Sequence, residues 1–129
     1  WAKAATAWYT ANEPGGSPII TWASGPESYD AVTLMALAAD VAGSNDPASI
    51  QANLLAVSGS TGGTPCTTYA DCLTLIQGGN KNIWYQGPSA IGPLNDKHDP
   101  STGYVTIYQA KGQNMQDSIV TAIKSTVSE

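Results

Sequence analysis

The chain has 129 residues, with five lysines, no arginine and ten carboxylates, for a net charge of −5. Hydrophobic residues make up 42% and charged residues 12%, a globular balance, since a disordered chain would be more charged and less apolar. An acidic surface without a basic run disfavours nucleic acid and anionic membrane as partners, and no apolar run approaches the roughly 20 residues that span a bilayer.

Trp1, Ala5, Trp8 and Tyr9 share one face of an opening helix, ended over Asn12–Ser17 by Pro14, Gly15 and Gly16. Pro18–Ala23 is short and β-branched, which predicts a strand. A Ser24-Gly25-Pro26 turn then starts a second helix, Glu27–Ala42, where Pro26 suits the first position and Glu27 and Asp30 suit the helix dipole. Leu34, Met35, Leu37 and Val41 make that helix apolar almost all round, so it is expected to be central and buried. Gly43 ends it, and Asp46-Pro47 opens a third helix with Ile50, Leu54, Leu55 and Val57 on its apolar face.

Ser58–Pro65 reads as a flexible loop. A fourth helix follows, with Tyr69, Cys72, Leu73 and Ile76 on one face, Thr68 as N-cap and Gly78-Gly79 as stop. Ile83–Leu94 mixes apolar residues with Gly and Pro, and Asn95–Gly103 is a turn or short loop. Tyr104–Ala110 alternates as a half-buried strand, with Val105 and Ile107 on one side. The tail from Met115 fits a helix through Ile119, Ile123 and Val127, while its β-branched residues leave a strand open. Three short strands are few for helices this apolar, which suggests part of a larger α/β protein.

Catalytic chemistry finds little support. His98 is the only histidine, in the turn Asn95–Pro100, and a solvated turn explains it better than acid–base work or hydrolysis. Ser58–Gly63 lacks the spacing of a nucleophile elbow or a phosphate loop. Neither metal nor cofactor is expected. Cys66 and Cys72, with five residues between them, read as a small-loop disulfide or as two buried thiols, and two sulfurs with one distant histidine fall short of a zinc site.

The binding-type constellation is Trp22, Ser24, Gly25 and Glu27 around the strand-to-helix junction, with Tyr29 one turn further on. Loops at the carboxyl ends of strands are where open α/β folds hold ligands. There, N–H groups at the helix start meet a carboxylate and an aromatic ring walls an apolar group. In the alternative reading, Trp22 and Tyr29 are core residues and Glu27 serves only the helix dipole.

Ser28-Tyr29-Asp30-Ala31-Val32, the Ala/Leu-rich helix and Asp46-Pro47-Ala48 resemble the type I periplasmic binding proteins. The nearest likeness is to the solute-binding proteins of branched-chain amino acid and amide ABC transporters. Cys66–Cys72, the helix to Gly78, and Lys81–Ser89 resemble the later part of that family, and the likeness runs from about Trp1 to Gly112. Two departures stand out: Asn95–His98 lacks the usual glycine of the acidic turn, and Gly25-Pro26-Glu27 is unusual before the Tyr-Asp pair.

The resemblance implies an α/β fold of the periplasmic binding protein-like I class, this chain being a C-terminal fragment with parts of both lobes. Residues 1–18 would end the second lobe, 19–25 form a crossover or hinge strand, and 26–102 belong to the first lobe. Residues 103–129 would supply the final crossover strand and tail. It implies a non-enzymatic capture protein, periplasmic or extracellular and membrane-associated, with a lipid anchor as one means, and with ABC permease subunits and a small polar ligand (amino acid or amide type) as partners. Ser24 and Gly25 best match the cleft-facing position, followed by Trp22 and Glu27. A fragment of this kind is expected to self-associate. A sensory ligand-binding domain of a receptor is the alternative use of the same fold.

Overall fold

The computed structural model describes residues 1–17, 19, 22–109 and 118–126. Among them are four helices, α1 (Ala2–Asn12), α2 (Gly25–Ala42), α3 (Pro47–Ser58) and α4 (Tyr69–Gln77). Four strands accompany them: β1 (Thr64–Cys66), β2 (Ile83–Tyr85), β3 (Thr102–Gln109) and β4 (Ser118–Thr126). They form two two-stranded sheets, β1 with β2 parallel and β3 with β4 antiparallel. The fold is therefore mixed α/β.

Local signals set the helix ends. Asp46 accepts from Ser49 N at 3.0 Å and Pro47 follows it, so the start of α3 has a side-chain acceptor and a pre-set φ. Thr68 accepts from Asp71 N at 3.1 Å at the start of α4. Gly43 and Gly59 take left-handed backbone at the ends of α2 and α3, where a side chain would be strained. Gly59 is required twice over, because a Cβ there would stand 2.3 Å from the Trp84 ring.

β1, α4 and β2 make a compact β–α–β unit, and the Cys66–Cys72 disulfide joins its first strand to its helix. Leu34, Leu37, Ala38 and Val41 of α2 meet Val57, Cys72, Ile76, Ile83 and Tyr85 in one core. Burial of these side chains stabilises the fold by roughly 1.5–3 kcal/mol for each of the larger ones.

Several sequence expectations are corrected. Ser58–Pro65 is not a loop throughout: α3 runs to Ser58, and Thr64–Cys66 is a strand paired with Ile83–Tyr85. Three residues are too few to show periodicity, so this pairing had no sequence signature. The tail is strand over Ser118–Thr126, the alternative its β-branched residues allowed, and the helical reading fails there. Pairing with β3 over Thr102–Gln109 outweighs the helical spacing. Nor is α2 buried all round, since Tyr29, Val32 and Met35 are exposed on one side. Of the strand expected over Pro18–Ala23, residues 18, 20 and 21 lie outside the described residues, while Ile19, Trp22 and Ala23 are not in a strand. No helix among the described residues is long and apolar enough to cross a membrane.

Candidate functional site

Asp30 lies on the face of α2 that carries Leu34, Leu37 and Val41, so the helix that builds the core also drives a carboxylate into it. It is 1% exposed. A buried charge survives only when donors surround it. Tyr85 donates its hydroxyl to Asp30 Oδ1 at 2.8 Å, Ser89 donates its backbone N–H to Oδ2 at 2.8 Å, and the Ser89 hydroxyl donates to Oδ2 as well. Burial, and then the bond to Asp30, push the Tyr85 phenol well above its ordinary range.

This arrangement leaves no room at Gly87, where a Cβ would lie 2.0 Å from Asp30 Oδ1. The carboxylate thus holds Ser89 and excludes a side chain at Gly87, in the segment that leaves the carboxyl end of β2. Further bonds fix the rest of that segment. Gly92 N donates to Thr102 Oγ1 at 2.6 Å, Leu94 N donates to Ser58 Oγ at 3.3 Å, and the Ser60 hydroxyl donates to Leu94 O. The stretch read from sequence as a flexible serine loop is in part a clamp.

Between these parts is a cleft of about 340 Å³. Its floor and walls include Asp30 and Leu34 of α2, Ser58 at the end of α3, and Trp84 and Tyr85 of β2. Gln86, Gly87 and Ala90–Pro93, with Thr102 of β3 and Lys124 of β4, complete the lining. Register explains why Thr102 and Lys124 arrive together: Thr102 pairs with Thr126 and Tyr104 with Lys124, so these residues share one face of the β3–β4 pair. The cleft lies beyond the carboxyl end of a parallel strand, where α/β folds hold ligands.

The four residues read from sequence as ligand-binding lie apart from this cleft. Trp22 stands edge-to-face on Trp1 at 5.1 Å between ring centroids, and Trp1 on Tyr29 at 5.9 Å. With Trp8 and Ile19 these rings line an apolar groove of about 520 Å³. Ser24 has left-handed backbone, φ 58°, and its carbonyl accepts from both N and Oγ of Ser28. Gly25 donates to Trp22 O at 2.8 Å, and a Cβ there would meet the Trp1 ring at 2.9 Å. Glu27 is exposed in the first turn of α2. Of the four, Trp22 alone lines the groove.

Asp30, Tyr85 and Ser89 were missed as a set. The available signal was an acid in register with Leu34, Leu37 and Val41, four, seven and eleven residues on, a position the core claims. His98 sits in a turn with φ 67°, where Asn95 Oδ1 accepts from the backbone of Lys97 and Asp99. Among the described residues no three His, Cys, Asp or Glu side chains gather as a metal site would require. Comparison of the chain with protein-family models, curated proteins and solved structures gives no match.

Proposed function

We propose that the chain serves capture of a small polar solute, as the extracytoplasmic binding component of an ABC importer, with the Asp30–Lys124 cleft as the binding site. The observation that carries this reading is the cleft itself. About 340 Å³ is near the lower end of small-molecule sites, which run from about 300 to 1,000 Å³. That volume suits a ligand the size of an amino acid or amide. Its lining follows the usual division of labour, with Leu34, Trp84, Ile91 and Pro93 offering apolar surface and Gln86, Thr102 and Lys124 offering polar groups.

The likeness of residues 28–48 and 66–89 to solute-binding proteins supports the same reading. The Cys66–Cys72 disulfide accords with an oxidising compartment outside the cytoplasm. Binding of this kind needs fixed donors and acceptors and exclusion of water. The permease subunits would be the partners that receive the solute.

The test is a thermal-shift titration of the chain with amino acids, amides, urea and short organic acids. A melting temperature that rises with ligand concentration is expected, as linkage demands. Ile91→Trp, which fills the cleft, should abolish the shift. A chain that responds to none of these solutes, or whose response survives the filled cleft, would refute the assignment.

A further inference from the structure

Asp30 and Lys124 are both charged residues of the cleft wall, and they differ in what remains free to meet a solute. The two oxygens of Asp30 already accept three hydrogen bonds, from Tyr85 and twice from Ser89, at 1% exposure. A cationic solute could reach that carboxylate only by displacing donors that hold the cleft wall. Lys124 is exposed, and no ion pair or side-chain hydrogen bond engages it among the described residues. Gln86, also in the lining, is exposed and its side chain is equally unengaged there.

The charge the cleft offers to a solute is therefore positive, within a chain of net charge −5. We propose, building on the capture reading, that Lys124 selects solutes bearing a carboxylate, with Gln86 of the same lining as a second donor, and that Asp30 makes no contact with the solute. Thr102 and Lys124 reach the site together because the β3–β4 register puts them on one face of that pair, next to each other on the diagonal. Asp30 acts instead as a positioning residue, holding Ser89 between the lining residues Gly87 and Ala90. Amino acids and short organic acids then bind in preference to neutral amides, which resolves the ligand class that the resemblance left double.

The experiment is calorimetric titration of the chain with leucine, isovalerate and isovaleramide, for wild type and for Lys124→Met and Lys124→Arg. The two isovaleryl probes share a shape and differ in charge. Wild type should bind isovalerate more tightly than isovaleramide, with the difference shrinking as salt is raised. Lys124→Met should weaken leucine and isovalerate by about tenfold, the scale of one charge-assisted hydrogen bond, and weaken isovaleramide distinctly less. Lys124→Arg should restore most of the loss, and all variants should melt with the wild type because the side chain is exposed.

Equal affinity for the two isovaleryl probes, or equal weakening of both by Lys124→Met, overturns the selectivity while leaving solute capture intact. If wild-type chain binds none of the three probes and nothing in the wider thermal-shift panel, capture and selectivity fall together.

Discussion

Tyr85 donates its phenolic hydrogen to Asp30 Oδ1 at 2.8 Å across 55 residues of sequence, inside the core that joins α2 to β2. The bond links the hydrophobic packing of α2 to the wall of the cleft. Both groups are largely buried, so little water can replace either partner. Removing either one therefore costs more than an ordinary surface hydrogen bond.

Tyr85→Phe should destabilise the chain by about 1–3 kcal/mol, the cost of leaving a buried acceptor short of a donor. Asp30→Ala should cost more, because it strands the Tyr85 hydroxyl and both Ser89 donors. In urea denaturation the double variant should lose less than the sum of the singles, the mark of a shared interaction. Additive losses would show that the two groups act independently.

The raised phenol pKa of Tyr85 sets the direction of an alkaline effect. Burial is its first cause and the Asp30 bond its second. The unfolded chain releases this proton near pH 10, while the folded chain retains it to higher pH. Stability linked to Tyr85 is thus complete below about pH 10 and falls as pH rises toward the folded value. Denaturation at rising pH should show a steeper loss in wild type than in Tyr85→Phe. Parallel curves would contradict the burial and bonding of this phenol.

Gly87 and Gly43 separate two reasons for a glycine. Gly87→Ala drives a Cβ to within 2.0 Å of the Asp30 carboxylate and should cost about 3 kcal/mol or prevent folding. Gly43→Ala meets nothing within 4 Å and suffers only from its left-handed φ of 62°, at a cost of about 1 kcal/mol. Thermal melts of the two variants check the order. Equal losses would mean that the space around Asp30 is not limiting.

Reducing the Cys66–Cys72 disulfide, or replacing both cysteines with serine, should cost about 2 kcal/mol on the chain-entropy account of so short a loop. Cys72 is fully buried, so the serine pair also adds polar burial and should cost somewhat more than reduction. Denaturation with and without reductant measures both. A chain indifferent to reductant would show that β1 and α4 need no tether.

Asp46→Ala removes the acceptor for Ser49 N and for Ser49 Oγ at the start of α3 and should cost about 1 kcal/mol. Asp46→Ser should recover most of that loss in the same melts, because serine caps as well. Failure of serine to rescue would point to a role for the negative charge instead.

The sequence alone determined the four described helices to within a residue or two of their ends, though not the nature of the tail. Asp46-Pro47, Thr68, Gly43 and Gly78 act on backbone groups within a few residues, so their effect is written locally. The proximity of Cys66 and Cys72 belongs to the same class, since six positions along a strand and the following helix return the chain on itself. Tertiary structure decided the rest. The parallel pairing of Thr64–Cys66 with Ile83–Tyr85 needs a whole crossover between strands too short to carry a pattern. The strand character of 118–126 depends on β3 lying beside it, against a spacing equally compatible with helix. Asp30 reads in sequence as an acid suited to a helix start. Only packing turns it into a buried anchor, because its donors arrive from Tyr85 and Ser89, 55 and 59 residues away, and the cleft forms where those distant contacts converge.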